Sequence, residues 1–270
     1  MRLLVITPTL NRSKFLDETI CSVQACAPDA EHILSAPASE IKSLRQQYPT
    51  LKVVADHGRE GGMYGAINAG IEAAESEWVH VAYVNDDDIL TDQFSNMLQS
   101  AALNSADLIY GGVQYIDHNG KSLSPAPLCP SPKLIRHLLY DGIVPFMQVG
   151  MIFSRKIYET LSGFDSNSYR FTGDLDFICR AVNAHARCFI HRKQVAKFRL
   201  LPDQLSANGT AMQQEHDQTI SRFRENCDSG KTHRKIAQII YYISNLNVYL
   251  LRIIRFRKLS NQSMAESVRS

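Results

Sequence analysis

The chain has 270 residues, a length that fits one large domain or one domain with an appendage. Hydrophobic residues make up 44% of it and charged residues 21%, which is typical of a globular protein with a buried core. The net charge of +2 argues against a generally basic nucleic-acid-binding protein, so no nucleic acid partner is expected. Charge is uneven, because residues 231–270 contain eight Lys and Arg residues and one acid, a net charge of +7.

Neither the cysteines nor the apolar segments indicate an exported or membrane-spanning protein. The six cysteines are scattered without a Cys-x-x-Cys pair, which argues against a zinc site and a disulfide framework. Residues 1–10 lack the basic start and long apolar core of a signal peptide. No run of 18 or more uninterrupted apolar residues is present, so no transmembrane helix is expected. We therefore expect a cytoplasmic protein.

Strands and helices alternate through the first hundred residues. The apolar runs that predict strands are residues 3–6, 32–34, 51–55 and 78–84. The segments with helical spacing lie near residues 15–23, 39–47, 66–74 and 94–101. This alternation is typical of a mostly parallel sheet with helices on both faces. The loops at 7–13, 56–65 and 85–90 follow strand carboxyl ends, so we expect them to border one ligand-binding crevice.

The second half is less regular. Residues 108–116 predict a strand that is broken at Gly111-Gly112, and residues 187–190 predict a short strand. A helix is predicted to begin near Asp174, and helical spacing returns from about residue 233.

Three consecutive aspartates, Asp86, Asp87 and Asp88, follow the clearest predicted strand. Like charges at this spacing repel and raise one another's pKa. A divalent cation removes that cost, because carboxylate oxygens are preferred ligands of Mg²⁺ and Mn²⁺. The alternative is an acidic turn that caps a helix. The position at the carboxyl edge of a predicted α/β sheet favours the metal site.

Several segments in order resemble the family 2 nucleotide-sugar glycosyltransferases, which are inverting enzymes with the GT-A fold. The segments are residues 7–12, 21–24, 62–71, 84–90, 163–165 and 173–180. Each alone is a weak signal, and their ordered sum is specific. The resemblance covers roughly residues 1–205. It implies an α/β fold, a GT-A type Rossmann-like sandwich with a mostly parallel central sheet, followed by a C-terminal helical tail.

The resemblance also implies roles for the acidic residues. In this family the acidic motif holds Mn²⁺ or Mg²⁺ on the donor diphosphate, which implies Asp86 and Asp88 as metal ligands, with Asp86 as an alternative ribose contact. Asp87 is counted among the donor-binding residues, although it is the member most suited to a structural role. The other residues implied to bind the nucleotide sugar are Thr7, Pro8, Thr9, Asn11, Asp56 and Asn68.

Asp174 matches the position of the family's catalytic base. A single inverting displacement needs a carboxylate that takes the proton from the acceptor hydroxyl. The alternative role is a helix N-cap, since Asp is favoured there, and one residue is able to serve both roles. Asp176 lies about 200° around the helix and is the weaker candidate.

The chain departs from the family's pattern around the nucleobase. Residues 35–39 contain no carboxylate where the family has an acidic loop, and Ile67 stands where many members have arginine. The base identity therefore stays open, with Asp56 as a substitute contact. His191 is either a third metal ligand or a hydrogen-bonded surface residue.

The resemblance implies sugar transfer from a nucleotide sugar to an acceptor hydroxyl, in surface polysaccharide or glycolipid assembly, with a glycan or lipid-linked acceptor. The alternative is a degenerate, non-catalytic member that binds a nucleotide sugar or a protein. Nucleotidyl transfer is disfavoured because residues 7–13 contain no glycine, and a dinucleotide oxidoreductase because no G-x-G-x-x-G follows the first strand.

We divide the chain into a glycosyltransferase domain over residues 1–225 and a basic amphipathic tail over residues 226–270. The domain has a nucleotide-binding half of about 1–115 and an acceptor half of about 116–225. The apolar stripe and terminal basic cluster of a helix over residues 233–258 suit peripheral contact with the anionic inner face of a membrane. Packing on the domain and a homodimer contact are the alternatives.

Overall fold

The computed structural model describes residues 2–58, 61–201, 204 and 209–257. Its strands are β1 (Leu3–Pro8), β2 (Glu31–Ala36), β3 (Lys52–Ala55), β4 (His80–Tyr83), β5 (Ile89–Leu90), β6 (Leu108–Ile116), β7 (Ser122–Pro125), β8 (Met151–Ser154) and β9 (Cys188–Arg199). Its helices are α1 (Leu16–Cys26), α2 (Ile41–Gln47), α3 (Gly62–Glu72), α4 (Gln93–Asn104), α5 (Ile135–Tyr140), α6 (Arg155–Thr160), α7 (Gly173–Asn183), α8 (Gly209–Glu225), α9 (Lys231–Ser244) and α10 (Leu246–Phe256).

One nine-stranded sheet runs through the domain in the order β3-β2-β1-β4-β8-β6-β9-β5, and β7 pairs with β6. The strands β3, β2, β1 and β4 are mutually parallel. β8 is antiparallel to both of its neighbours, whereas β6 and β9 run parallel to each other. Six of the nine strands therefore share one direction, which confirms the predicted mostly parallel α/β sheet.

The first half follows the sequence pattern closely. All six residues of β1 are buried, and a strand covered by helices on both faces reads as a continuous apolar run for this reason. The helices that follow β1, β2 and β3 begin beyond the strand carboxyl ends. The loops predicted to border a crevice therefore lie on one edge of the sheet.

The prediction of a broken strand at Gly111-Gly112 is wrong, because β6 continues through both glycines. The glycines instead shift the register of β9 against β6. A Cβ atom on Gly111 would lie 2.6 Å from the Val195 side chain, so the close approach of the two strands requires glycine there.

The strand predicted at residues 187–190 is also shorter than the strand that the structure shows. β9 extends to Arg199 and pairs with most of β6. β5 of the predicted nucleotide-binding half pairs with β9 of the predicted acceptor half, so the two halves share one sheet. The boundaries near residues 115 and 225 stay a prediction.

The tail forms two helices rather than the single helix predicted over 233–258. Asn245 interrupts them and donates from Nδ2 to the carbonyl oxygens of Tyr241, at 2.8 Å, and Leu128, at 3.0 Å. Its Oδ1 accepts from Leu128 N at 2.9 Å. The asparagine thus fastens the tail to the domain, and residues 258–270 of the predicted tail lie outside the described residues. Within the described part of the chain, no helix combines the length and apolarity needed to cross a membrane.

Candidate active site

The three aspartates lie in the loop between β4 and β5. Asp88 N donates to the Asn85 carbonyl oxygen at 3.1 Å, which closes a tight turn around Asp86 and Asp87. Ser13 Oγ donates to the Asp86 carbonyl oxygen at 2.8 Å. The loop after β1 and the acidic loop therefore meet at the carboxyl edge of the sheet.

Asp86 is the partly exposed member of the run. Thr9 Oγ1 donates to its Oδ2 at 2.5 Å. Burial raises the pKa of Asp86 to about 6, the Thr9 hydrogen bond acts in the opposite direction, and the charge of Asp87 adds to the rise. The carboxylate is therefore ionised near neutral pH and becomes protonated on modest acidification. A cation beside it would favour the ionised form.

The Asp88 side chain is fully enclosed. Its Oδ1 accepts from Arg199 N at 3.0 Å, and its Oδ2 accepts from Asn85 Nδ2 at 3.2 Å. Burial raises the pKa of Asp88 well above its usual range, and the charge of Asp87 raises it further. Asn85 Oδ1 is buried without a hydrogen-bond partner among the described residues. An enclosed carboxylate and a buried amide oxygen thus lie side by side.

Arg199 is a residue of the candidate site that the sequence did not reveal. Its guanidinium is buried, and it donates from Nε to the Asp87 carbonyl oxygen at 3.0 Å and from Nη1 to the Asp117 carbonyl oxygen at 3.3 Å. Nη2 donates to the Glu18 carboxylate. The guanidinium carbon also lies 3.9 Å from the centre of the Phe15 ring. One cation therefore joins α1, the acidic loop and the turn after β6.

Asp87 faces the end of β9. Gln204 Nε2 donates to its Oδ2 at 2.7 Å and to the Arg199 carbonyl oxygen at 2.5 Å. These bonds agree with the structural role expected for Asp87, and its role in donor binding stays a prediction.

The acidic loop offers oxygen donors that suit a hard divalent cation. Among residues 2–58, 61–201, 204 and 209–257, no group of three or more His, Cys, Asp or Glu side chains is arranged to hold a metal ion. Mg²⁺ in phosphate-handling sites needs only one or two carboxylates, because substrate oxygens complete its coordination. Asp86 and the unpartnered Asn85 oxygen fit that requirement. Asp88 fits it less directly, since both of its oxygens already accept hydrogen bonds.

Asp174 lies in the first turn of α7, whose N-cap is Thr172 rather than Asp174. Its Oδ1 accepts from Tyr64 Oη at 3.0 Å and from Leu175 N at 2.9 Å. Burial raises the pKa of Asp174, and these hydrogen bonds act against the rise. Both bonds fall on Oδ1, so Oδ2 is the oxygen suited to accept a proton. A carboxylate with a raised pKa is a stronger base than one with an ordinary pKa.

Glycine at position 173 allows Tyr64 to reach Asp174. A Cβ atom on Gly173 would lie 2.7 Å from the Tyr64 ring. The neighbouring Asp176 instead pairs with Arg180 at 2.7 Å. This pairing leaves Asp174 as the better candidate base of the two.

Glu215 of α8 is a second residue that the sequence did not reveal. Its carboxylate accepts from the backbone nitrogens of Arg170, Phe171 and Thr172 at 2.9, 2.7 and 2.9 Å. It therefore fixes the loop that leads into α7. No local pattern around Glu215 indicates this role, because its partners lie more than 40 residues earlier in the chain.

Tyr83, the last residue of β4, lies three residues before Asp86 in the chain. Its hydroxyl is buried without a hydrogen-bond partner among the described residues. Burial raises the pKa of Tyr83, and the charges of Asp174 and Asp88 both add to the rise. The Phe164 ring lies 5.7 Å from the Tyr83 ring and 5.6 Å from the Tyr64 ring, and Tyr64 is bonded to Asp174. The acidic loop and Asp174 therefore belong to one region.

The other predicted residues of the first loop lie at the same sheet edge. Buried Thr7 bonds through Oγ1 to His32 Nε2 at 2.9 Å, and Pro8 lies beside Ser35 of β2. Asn11 has a left-handed backbone, with a φ of 57°, and its Nδ2 donates to Glu40 Oε2 at 2.9 Å. Their contacts to a donor stay predictions.

Asp56 and Asn68 serve local structure here. Asp56 Oδ1 accepts from Gly58 N at 2.8 Å. Asn68 Nδ2 donates to the Phe164 carbonyl oxygen at 2.8 Å, while its Oδ1 accepts from Tyr158 Oη at 2.9 Å. Asn68 thus fixes the segment before α7, and its predicted donor contact remains untested.

His191 is separated from the acidic loop. Gly111 pairs with His191 and Ile116 pairs with Arg199, so five residues of β6 span the distance. That is about 17 Å of extended strand. Because Asp88 is bonded to Arg199, the structure leaves His191 outside the candidate metal site.

A cavity of about 350 Å³ lies elsewhere, between α5 and the end of α7. Its lining includes Lys133, Arg136, His137 and His185 but none of the predicted site residues. The candidate active site is therefore an open edge of the sheet rather than this cavity.

A sheet with a parallel half, an acidic loop at its carboxyl edge and helices around it is the architecture of a GT-A type fold. Glycosyl transferase family 2 matches residues 4–162, and the chain belongs to this family of nucleotide-sugar glycosyltransferases. A search of curated proteins finds no match.

Solved structures show the same fold. S. aureus TarS 1–349 in complex with UDP-GlcNAc is 16% identical, with a TM-score of 0.66 over 99% of this chain and 79% of that one. The complex of TarS 1–349 with UDP is 16% identical, with a TM-score of 0.64 over 92% and 72%. The mannosyltransferase PcManGT from Pyrobaculum calidifontis, in complex with GDP-Man and Mn²⁺, is 15% identical, with a TM-score of 0.58 over 98% and 73%.

Proposed function

We propose that this protein transfers a sugar from a nucleoside diphosphate sugar to an acceptor hydroxyl with inversion at the anomeric carbon. The observation that supports this most is the pair of acidic groups around Tyr83. One group, the acidic loop, suits a diphosphate with a divalent cation, and the other, Asp174, suits proton removal from a hydroxyl. An inverting displacement needs both functions in one site.

In this proposal Asp86 is the ligand that the protein presents to the cation, together with the Asn85 amide oxygen. Asp88 is the second predicted ligand, and its enclosed position suits orientation of the loop. Mn²⁺ or Mg²⁺, when bound, would offset the negative charge that develops on the departing diphosphate. Arg199 and Glu18 would hold the loop in place during transfer.

Asp174 is proposed to take the proton from the acceptor through Oδ2. Tyr64 and the Leu175 backbone nitrogen would hold Oδ1 and so fix the direction of the carboxylate. The proposed acceptor is a glycan or a lipid-linked sugar in surface polysaccharide or glycolipid assembly. This part of the proposal rests on the family resemblance.

The donor is testable by thermal shift with nucleoside diphosphates and their sugars, each with and without Mn²⁺. A nucleotide at a hundred times its Kd stabilises the protein by about 2.7 kcal/mol, which raises Tm by roughly 5 °C for a chain of this size. We expect one nucleotide to give this rise only with the cation. A folded protein that responds to none of them would favour the non-catalytic alternative.

We expect Asp86→Asn to abolish the Mn²⁺-dependent part of that shift. The substitution removes the accessible charge of the loop while keeping the acceptor for Thr9. Without cation, Tm should stay the same or rise, because burial disfavours the ionised form. Asp92→Asn is the matched control, since Asp92 is an exposed aspartate shortly after the loop. Equal Mn²⁺ responses in Asp86→Asn and the wild type would contradict the ligand assignment.

The same carboxylate predicts a pH dependence. Its pKa is raised from 3.8 to about 6, so the folded state binds a proton more readily than the unfolded state. Without cation, its contribution to the free energy of unfolding therefore falls as pH rises between these two values. The cation needs the ionised form, so Mn²⁺ affinity should fall as pH drops through about 6. Titration calorimetry over this range measures it, and the control Asp92→Asn should show the same dependence as the wild type.

A further inference from the structure

The two tail helices present an apolar face to solvent. Of the thirteen large hydrophobic side chains that are exposed among the described residues, nine lie in α9 and α10. We call these nine the tail face: Ile236, Ile239, Ile240, Tyr242, Ile243, Leu246, Leu250, Ile253 and Ile254. Soluble monomers rarely expose a contiguous apolar patch of more than roughly a few hundred Å² without a functional reason.

Helical periodicity places the tail face opposite the side of each helix that packs on the domain. In α9 the exposed isoleucines recur at i, i+3, i+4 and i+7, while Ala237 and Tyr241 are buried. In α10 the exposed leucines and isoleucines recur at i, i+4, i+7 and i+8, while Val248 and Arg252 are buried. Only Asn245 separates the helices, so their exposed apolar side chains follow one another closely along the chain.

Polar contacts hold the tail in this orientation. Asn245 is bonded to Leu128, and Arg252 donates from Nε to Ser124 Oγ at 3.0 Å. Arg255 Nη1 donates to the Leu123 carbonyl oxygen at 2.8 Å. Turning the tail face toward the domain would break these bonds, so the domain does not cover it.

The charge around the tail face has one sign. Residues 229–257 contain no Asp or Glu. Lys231, Lys235, Arg255 and Arg257 are exposed on the two helices. An apolar helix face flanked by cations and free of acids is the pattern of a helix that lies in the interface of an anionic bilayer.

We propose that the tail face docks on an anionic membrane surface. The isoleucines and leucines enter the boundary between headgroups and acyl chains, and Lys231, Lys235 and Arg257 contact anionic headgroups. Arg255 stays bonded to the Leu123 carbonyl oxygen. A second copy of the chain fits less well, because a twofold interface through the same face would bring two cationic surfaces together without an acid between them. The proposal does not depend on the sugar-transfer reaction.

The test is flotation of the full-length protein with two kinds of vesicle. One is phosphatidylcholine alone, and in the other a third of the lipid is anionic phosphatidylglycerol. We expect binding to the anionic vesicles that weakens with added salt. Equal binding to both kinds, or no binding, would overturn the proposal.

Two variants test the apolar and charged contributions. Ile243→Asp with Ile254→Asp alters exposed positions, so folding should be kept. Binding should weaken roughly a hundredfold, because two apolar side chains no longer enter the bilayer and two negative charges are added. Lys231→Gln with Lys235→Gln should weaken binding to anionic vesicles roughly thirtyfold.

Leu103→Asp is the matched control, because Leu103 is an exposed apolar residue of α4, outside the tail. It should bind vesicles as the wild type does. Circular dichroism confirms folding of each variant, and sedimentation velocity without lipid reports self-association. A concentration-dependent dimer that Ile243→Asp with Ile254→Asp dissociates, with no vesicle binding by the wild type, would overturn the proposal in favour of a second copy.

Discussion

Replacement of Asp174 by Asn is expected to lower kcat for sugar transfer by about 10²–10⁴-fold. The amide keeps the size of the side chain and an oxygen acceptor for Tyr64 and the Leu175 nitrogen, but it cannot take a proton from the acceptor. Donor binding should be unchanged, because no contact of Asp174 reaches the acidic loop directly. Steady-state kinetics with the donor found by thermal shift would measure kcat and the donor KM separately.

The direction of the stability change in Asp174→Asn is also predicted. Burial raises the pKa of Asp174, so the ionised form is disfavoured in the folded state relative to the unfolded chain. A neutral amide removes this cost, and Tm near neutral pH should therefore be equal or higher. A loss of activity together with kept or increased stability is the signature of a catalytic group.

Asp176→Asn is the control on the same helix. Asp176 pairs with Arg180, so this variant should lose some stability while the turnover of the folded protein is kept. If Asp174→Asn turned over at the wild-type rate, Asp174 would not be the base. If Asp176→Asn alone lost turnover at unchanged Tm, the base would be Asp176.

Arg199→Met is expected to have the largest effect on stability, a loss of about 3 kcal/mol. Methionine fills a similar volume but donates no hydrogen bond. The carbonyl oxygens of Asp87 and Asp117 would lose their donor, and Glu18 would lose its ion pair. For a chain of this length the fall in Tm is roughly 5 °C.

The substitution should also disturb the donor site. Arg199 fixes the backbone of the acidic loop, so the Mn²⁺-dependent thermal shift of the variant should be reduced. Arg199→Lys retains the charge but lacks the planar set of donors, and it should recover only part of the loss.

Arg187→Met serves as the control for removing an arginine. Its side chain is 65% exposed and lies 4.0 Å from Asp107, so the free energy of unfolding should change little. Equal Tm values for Arg199→Met and Arg187→Met would refute the structural role of Arg199.

The local sequence pattern is sufficient to predict the elements of the first part of the chain. Apart from the two-residue strand β5, the order of strands and helices up to residue 104 follows from apolar runs and helical spacing, because each element buries a continuous face of its own. The acidic loop could be placed at the carboxyl edge for the same reason, since a loop after a parallel strand has only one edge to occupy.

The local sequence pattern did not predict the role of residues whose contacts lie far away in the chain. Gly111 and Gly112 look like a strand break, yet they allow β9 to approach β6. The extension of β9 then brings Arg199 to the acidic loop, 111 residues away from Asp88 in the chain. Glu215 reaches the loop before α7 across 43 to 45 residues, so neither residue has a local signature.

Tertiary structure also decided which aspartate of the acidic run is exposed to solvent. The sequence indicates three carboxylates that need a cation and says nothing of which one is accessible. Enclosure by β9 and Asn85 buries Asp88, whereas Asp86 stays partly exposed beside Thr9.

The sequence by itself determined the fold class, the family and the edge of the sheet where chemistry is expected, because those depend on periodicity and on short ordered motifs. Only the tertiary structure decided that Arg199 and Glu215 support the site and that the apolar face of the tail points away from the domain. Burial and hydrogen bonding between distant segments set these features, and neither quantity is a property of any local stretch of chain.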